Sequence, residues 1–141
     1  MRAALLIAVL AAAVGCGASQ GSSGSASGST AGTQLAISVW PEGRGTGAPT
    51  RWTLRCDPAG GTMPRASAVC RQLYGLRNPF APLRSDVICT DQYGGPQQAV
   101  ISGSFKGNRI WTLLAMRNGC EISRAKRLAF LLPGFSSAAR S

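Results

Sequence analysis

The run Arg51-Trp52-Thr53-Leu54-Arg55-Cys56 alternates polar and apolar side chains, and Asp57-Pro58-Ala59-Gly60-Gly61 follows it directly. Strict alternation predicts a strand with one buried face, which would carry Trp52, Leu54 and Cys56. The proline and the two glycines predict a turn immediately after that strand. This part of the sequence therefore indicates a sheet that covers a core on one side.

A helix is predicted directly after the turn, from Pro64 to about Tyr74. Thr62 can cap it, Pro64 stands near its first position and Gly75 ends it. Its apolar side chains recur at helical spacing and form one stripe: Ala66, Val69, Cys70 and Leu73. Since the stripe faces inward, Cys70 is well placed to reach a cysteine on the buried face of the preceding strand.

Three further runs have strand character. Leu35 to Trp40 opens the domain, and Ala99 to Phe105 and Arg109 to Met116 flank Lys106-Gly107-Asn108, which predicts a hairpin. We expect Trp111 to belong to the core. The apolar segment from Leu128 to Leu132 should pack back on the sheet as a strand or a helix. Together these elements predict an α+β fold in which an antiparallel sheet carries at least one helix on a face.

The ends of the chain are of a different kind. Residues 1–16 read as a signal peptide, and Ala13-Val14-Gly15-Cys16 resembles the lipobox of bacterial lipoproteins, in which the cysteine receives lipid. The alternative is an ordinary secretory signal that is cut a few residues later. Residues 17–33, almost wholly Gly, Ser, Ala and Thr, predict a flexible linker. The domain then spans 34–135 and a tail spans 136–141, so we expect an extracellular protein held at the cell membrane by lipid.

The chain has five cysteines, and setting Cys16 aside leaves four: Cys56, Cys70, Cys89 and Cys120. Four cysteines in a secreted domain predict two disulfides, with three pairings open. A metal site is the rival interpretation, but the sequence has neither a C-x-x-C spacing nor a histidine. Disulfides are therefore the prediction, with no metal and no cofactor.

The charge is strongly basic, with 15 Lys and Arg against 5 Asp and Glu. Nucleic acid is the first partner that such a balance suggests. A secreted, disulfide-bonded domain seldom meets nucleic acid, so we expect a solvated face or attraction to an anionic surface. The densest basic patch is Arg124-Ala125-Lys126-Arg127. Without histidine a Ser-His triad is impossible, and paired carboxylates are not evident, so the protein is not expected to be an enzyme.

Three segments carry a resemblance to a known family. The residues from Leu54 to Leu73, with the cysteines at 56 and 70, resemble the Streptomyces-type subtilisin inhibitors, as do Val87 to Tyr93 and Asn118-Gly119-Cys120-Glu121. The resemblance runs from about Leu35 to Pro133. It implies an antiparallel sheet with covering helices, a homodimer through the sheet and the disulfides Cys56–Cys70 and Cys89–Cys120. It also implies a serine-protease inhibitor that acts as a tight pseudo-substrate.

The resemblance also implies which residues meet the protease. The reactive bond would be Asp91–Gln92, with Ile88, Cys89 and Thr90 before it and Tyr93 and Gly94 after it. The family commonly has Met, Lys or another large residue where Asp91 stands. An acidic residue argues against strong inhibition of subtilisin or trypsin. Either the target is a serine protease that accepts acidic residues, or inhibition has been lost and the fold serves another binding role.

One further interpretation concerns the loop and another concerns the function of the whole protein. Because glycine lacks a side chain, Gly94-Gly95 is expected to loosen the exit side of the loop. The alternative function is a non-inhibitory lipoprotein of the cell envelope with the same fold, which binds an anionic surface or partner through its basic face.

Overall fold

The computed structural model describes residues 32–135. The predicted signal peptide, Cys16, most of the linker and the tail at 136–141 lie outside the described residues. The first strand begins at Thr33, the last residue assigned to the linker, and the Thr33 side chain is buried. In the part that is described, no helix has the length and apolar character needed to cross a membrane.

The sheet has five antiparallel strands in the spatial order β3-β2-β1-β4-β5. Two α-helices and one short 3₁₀ helix complete residues 32–135. The elements are β1 (Thr33–Trp40), β2 (Thr50–Cys56), β3 (Gly60–Gly61), α1 (Ala66–Tyr74), β4 (Gln98–Phe105), β5 (Asn108–Leu114), α2 (Gly119–Arg127) and a 3₁₀ turn at Ala129–Leu131. The α+β fold with an antiparallel sheet and covering helices is confirmed.

One face of the sheet is covered and the other is open. Leu35, Ile37 and Val39 of β1 are buried in alternation with exposed or half-buried neighbours. Neighbouring strands and the helices meet these residues in one apolar cluster, which includes Leu54, Leu73, Ile101, Leu114, Leu128 and Leu131. Both helices therefore lie on the same side of the sheet, and residues of opposite strand parity face outward.

Several local predictions about these elements were wrong. The first helix begins at Ala66, after Arg65 with φ of 54°, and Thr62 does not cap it. Thr62 instead exchanges hydrogen bonds with Thr53: each backbone N–H donates to the other's Oγ1, at 2.8 and 3.1 Å. The apolar segment at Leu128 to Leu132 does pack into the core, as predicted, and it forms a short 3₁₀ helix. The helix before it had no prediction.

The prediction that Trp111 belongs to the core was also wrong, since 65% of its surface is exposed. Trp111 pairs with Ser102, whereas its neighbour Thr112 pairs with the buried Ile101. Alternation along a strand separates two sets of side chains but does not say which set the helices will cover. Here they cover the set that contains Thr112.

The two disulfides join Cys56 to Cys70 and Cys89 to Cys120, with Cα–Cα distances of 5.8 and 5.4 Å. These are the pairings that the family resemblance implied. The first ties β2 to α1 within the core, in line with the placement of Cys70 on the inward stripe. The second ties an irregular segment between α1 and β4 to the first turn of α2.

Candidate functional site: an exposed loop carried by the second helix

The segment from 84 to 97 has no helix or strand, and it presents apolar side chains to solvent. Ile88 is 98% exposed, Tyr93 is 67% exposed and Val87 is 49% exposed. Large apolar side chains clustered on an exposed loop gain nothing for the fold, so they indicate a surface that is covered by a partner. We call residues 88–94 the presenting loop.

The presenting loop is fixed on both sides of the Asp91–Gln92 bond. On the near side, the carbonyl oxygen of Thr90 accepts a hydrogen bond from the Gly119 N–H at 3.0 Å. On the far side, the Gly94 N–H donates to the carbonyl oxygen of Met116 at 2.7 Å. The Cys89–Cys120 disulfide adds a covalent tie next to the first of these bonds. The bond between Asp91 and Gln92 is therefore exposed between two anchored points.

The glycine at the exit of the loop does not loosen it, contrary to the sequence expectation. A Cβ on Gly94 would lie 2.9 Å from Ile122 Cδ1 and 3.1 Å from Met116 Cε, closer than ordinary contact. The missing side chain thus leaves room for the side chains of Ile122 and Met116 to pack against the loop backbone. Gly95, at φ of 131°, then turns the chain toward β4 in a conformation that other residues rarely adopt.

The supporting segment is itself held in place at the start of α2. Asn118 is the N-cap, and its Oδ1 accepts a hydrogen bond from the Glu121 N–H at 3.0 Å. The Glu121 carboxylate reaches back to Arg117, where it accepts from the backbone N–H at 3.2 Å and from Nη2 at 2.6 Å. The hydrogen bonds from the Arg117 side chain are the main reason why the pKa of Glu121 lies below its ordinary value.

This ion pair should make the free energy of unfolding fall at acid pH, where Glu121 takes up a proton. Because the pKa of Glu121 is lower in the folded chain than in the unfolded chain, its contribution is complete above about pH 4.3 and is lost as the pH falls through the lowered folded value. We expect Glu121→Gln to lower the unfolding temperature at pH 7. The difference between the unfolding temperatures at pH 7 and pH 3 should be smaller in this variant than in the unaltered protein. Thermal unfolding by circular dichroism at both pH values measures this.

Glu42→Gln is the matched control, since Glu42 is exposed and its carboxylate makes no hydrogen bond or ion pair within residues 32–135. Its unfolding temperature should follow that of the unaltered protein at both pH values. If the two variants behave alike, the Arg117–Glu121 pair does not stabilise the start of α2.

Sequence reasoning missed the residues that support the presenting loop. They are Met116, Asn118, Gly119 and Ile122, and Gly119 has a specific requirement because a Cβ there would lie 2.2 Å from Thr90 Oγ1. A signal for them was present in the sequence. Asn118 with Glu121 three residues later, followed by apolar Ile122 and Ala125, is the pattern of a capped amphipathic helix.

The residues predicted for the reactive loop all lie in this one segment. Thr90, Asp91, Gln92 and Tyr93 are exposed, as is Ile88, whereas Cys89 and Gly94 are half-buried against α2. Within the described residues the Asp91 carboxylate has no hydrogen bond or ion pair. An unpaired acid thus stands exposed on the presenting loop.

The basic patch predicted at 124–127 is only partly a surface feature. Arg124 is half-buried, and its guanidinium donates to the carbonyl oxygens of Leu113 and Phe80, at 3.2 and 3.5 Å, and to Thr112 Oγ1. Burial lowers the pKa of Arg124. This side chain therefore fastens α2, and with it the support of the loop, to β5. Arg127 is exposed and donates to the carbonyl oxygen of Arg77 at 2.7 Å.

The arrangement presents an exposed stretch of backbone between two anchored points. Among residues 32–135, no three His, Cys, Asp or Glu side chains come close enough to hold a metal ion. All four cysteines of this part are in disulfides, so none supplies a free thiolate. The geometry suits binding at the loop.

Comparison with known proteins gives the family. Residues 31–118 match the model of subtilisin inhibitor-like proteins, which is more than half of the chain and includes the presenting loop. The chain belongs to the subtilisin inhibitor-like family.

The protein is similar to two curated relatives from Streptomyces. It is 39% identical over 72 residues to subtilisin inhibitor-like protein 4 of Streptomyces lavendulae, covering 49% of the chain and 61% of that protein. It is 35% identical over 82 residues to the protease inhibitor SIL-V1/SIL-V4 of Streptomyces netropsis, covering 55% of the chain and 74% of that protein. The match to the first relative thus spans less than two thirds of its length. The first is named as subtilisin inhibitor-like and the second as a protease inhibitor.

Among solved structures, the fold is similar to Streptomyces caespitosus sermetstatin in its complex with Bacillus licheniformis subtilisin. The TM-score is 0.44 at 21% sequence identity, and the match covers 69% of this chain and 96% of the other.

Proposed function

We propose that this protein inhibits serine proteases as a pseudo-substrate, with Asp91–Gln92 as the reactive bond. The presenting loop enters the protease cleft, with Ile88, Cys89 and Thr90 on one side of that bond and Tyr93 and Gly94 on the other. The family membership supports this proposal, as do the names of the two relatives. The geometry of the loop supports the placement of the bond.

The observation that carries the proposal is the pair of backbone hydrogen bonds that bracket Asp91 and Gln92. Thr90 is held to Gly119 and Gly94 is held to Met116, at 3.0 and 2.7 Å. A loop that is already fixed loses little conformational entropy when a protease closes on it, so more of the contact free energy appears as affinity. Exposed Ile88 and Tyr93 supply the apolar contact area.

The same anchors account for slow turnover of the bound loop. If the protease cleaves the Asp91–Gln92 bond, the new end at Asp91 stays next to Thr90 and Cys89, which are tied to α2. The new end at Gln92 stays within two residues of Gly94, which is tied to Met116. Both ends remain close together, so resealing of the peptide bond competes with release.

The acid at Asp91 defines the target. Its carboxylate is exposed and unpaired within the described residues, and on docking it would enter the specificity pocket of the protease. Transfer of an ionised carboxylate into an apolar or acidic pocket is strongly unfavourable. The target is therefore a serine protease whose pocket holds a cationic group and accepts acidic residues.

The place of action follows from the ends of the chain. The signal sequence, Cys16 and the Gly/Ser-rich linker would export the domain and hold it by lipid at the outer side of the cell membrane. An inhibitor in that position would meet proteases that approach the cell surface. The two disulfides agree with an oxidising compartment.

A titration against a panel of proteases tests the proposal. We expect the protein to abolish the activity of an acid-preferring serine protease in proportion to the amount added, with an end point near one molecule of inhibitor per enzyme. Subtilisin and trypsin should be inhibited at least 100-fold more weakly. Mass spectrometry of the complex should find cleavage only between Asp91 and Gln92. If no protease of the panel is inhibited by the folded protein, the proposal is wrong.

A further inference from the structure

We propose that a groove beside the presenting loop binds an acidic segment of the target protease, at the rim of the protease cleft. This inference rests on the proposed function and adds a second contact to it. The groove has a volume of about 640 Å³ and is lined by helix α2, by the segment at 78–83 and by three residues of the presenting loop: Ile88, Thr90 and Gln92. We call this feature the side groove.

One wall of the side groove is a single face of α2. The residues that form it recur at helical spacing: Gly119, Cys120, Ser123, Arg124 and Arg127. Gly119 donates its N–H to the carbonyl oxygen of Thr90, so this wall begins at the presenting loop. Since an α-helix rises about 1.5 Å per residue, Arg127 lies about 12 Å farther along the axis. The side groove therefore continues the surface of the loop along α2.

The α2 wall carries positive charge that no acid of the groove neutralises. Within residues 32–135 neither Arg124 nor Arg127 forms an ion pair, and none of the 5 Asp and Glu of the chain lines the side groove. Glu121 attracts Arg124 electrostatically, but its carboxylate is bound to Arg117. Arg127 is exposed, and the hydrogen bond that it makes in this part of the chain is to the carbonyl oxygen of Arg77. Its guanidinium keeps further N–H donors for a carboxylate from outside.

The second wall of the side groove is apolar. Pro79, Ala81, Pro82 and Leu83 supply it, and 41% of the Leu83 surface is exposed. A small inorganic anion would bind the basic wall and leave this apolar wall in water. A peptide segment with an acidic side chain next to an apolar one covers both walls at once. The side groove therefore fits a polypeptide better than an anion alone.

A protease on the presenting loop would reach the side groove. A protease–inhibitor interface buries about 800 Å² on each partner, which corresponds to a disc about 16 Å in radius. Arg127, about 12 Å from the start of α2, falls within that disc. Asp91 carries the opposite charge but does not line the groove. The loop and the side groove thus recognise two different parts of one protease, a cationic pocket and an acidic rim.

The chain itself offers poorer occupants of the side groove. The tail at 136–141 contains Arg140 and no acidic side chain, so it would add like charge to the groove. A second copy would have to offer one of the acids that stand singly in the sequence, which are Glu42, Asp57, Asp86, Asp91 and Glu121. Two of these, Asp86 and Glu121, are already paired with arginine. A separate protein with an acidic surface segment fits better.

Titration with a free peptide tests the side groove apart from any protease. The probe is acetyl-Glu-Leu-Glu-Leu-Glu-amide, and the comparison peptide has Gln in place of each Glu. We expect NMR spectra of the isotope-labelled protein to show shifts of the backbone amides of Ser123 and Arg127 with the acidic peptide only. Arg127→Gln should weaken its binding about fivefold, the loss expected for one exposed charge pair. The matched control Lys126→Gln removes the same charge from α2 outside the side groove and should change binding less than about twofold.

Kinetics with a protease test the second contact itself. The probe is a glutamate-specific serine protease that the unaltered protein inhibits. We expect Arg127→Gln to slow association about fivefold at low salt and to lose this effect at about 0.5 M NaCl, where charges are screened. Arg127→Lys keeps the charge, and its association rate should stay within about twofold of that of the unaltered protein. Lys126→Gln should do the same.

Each other outcome overturns the proposal. Equal weakening by Arg127→Gln and Lys126→Gln, or equal binding of the two peptides, would mean that the side groove has no charge-specific site. Tighter peptide binding after deletion of residues 136–141 would assign the groove to the tail. Sedimentation that shows a dimer dissociated by Arg127→Gln would assign it to a second copy. If the protease is inhibited but its association is unchanged in Arg127→Gln, the second contact is absent and the proposed function stands. If the folded protein inhibits no protease at all, both proposals fail.

Discussion

Replacement of Asp91 by methionine should tighten binding of subtilisin by about 100-fold or more. In the unaltered protein the presenting loop would bring an ionised carboxylate into a pocket that offers it no cation. Methionine removes that charge and supplies a flexible apolar side chain for the same pocket. A 100-fold change corresponds to about 2.7 kcal/mol of binding free energy, less than the full cost of burying a lone carboxylate. Inhibition constants from progress curves measure the change.

The same position should direct the inhibitor to other proteases. Asp91→Lys should turn the loop toward trypsin, whose pocket pairs a cationic side chain with an acid. Both substitutions should weaken inhibition of an acid-preferring protease by a similar factor. A loop that acts as a substrate mimic requires this exchange of targets, since its specificity resides in one side chain.

Asp86→Met is the matched control, because it removes a carboxylate from the same irregular segment, five positions before Asp91. Asp86 forms an exposed ion pair with Arg84, which contributes little to stability. The control should leave every inhibition constant within about twofold. If Asp86→Met and Asp91→Met change inhibition of subtilisin equally, the loop responds only to net charge and Asp91 does not enter a pocket.

The strands were predictable from sequence because their side chains alternate with a period of two. Leu35 to Trp40 and Arg51 to Cys56 were both recognised in this way, and the structure differs by only one or two residues at their ends. Burial could not be derived from the same pattern. Trp111 shows the reason. A large apolar residue on a strand is expected to face the core, but this sheet carries helices on one side only, and Trp111 lies on the other side.

The support of the presenting loop could not be predicted from composition. Glycines at 94 and 119 are ordinarily signs of flexibility, and here both mark places where the backbone must approach another segment closely. That distinction depends on which residues lie opposite: Ile122 and Met116 for the first glycine, and Thr90 for the second. Such neighbours are distant in sequence or belong to a helix whose N-cap had been missed, so only the folded chain brings them together.

Removal of the Cys89–Cys120 disulfide should convert the inhibitor into a substrate. In Cys89→Ser/Cys120→Ser the chain before the reactive bond loses its covalent tie to α2 and keeps the hydrogen bond between Thr90 and Gly119. Docking must then order the loop, and the cleaved end is free to leave. We expect affinity for the target protease to fall at least 100-fold and cleavage at Asp91–Gln92 to proceed to completion.

The other disulfide provides the control that separates rigidity of the loop from stability of the fold. The chain-entropy estimate is about 3 kcal/mol for Cys56–Cys70, whose sequence separation is 14, and slightly more for Cys89–Cys120, whose sequence separation is 31. Cys56→Ser/Cys70→Ser should therefore lower the unfolding temperature by a similar amount, yet inhibition should stay within about threefold below that temperature. Inhibition constants and the rate of loop cleavage, both measured at 10 °C, decide the matter. Equal loss of inhibition in the two variants would mean that the tie at Cys89 acts only through global stability.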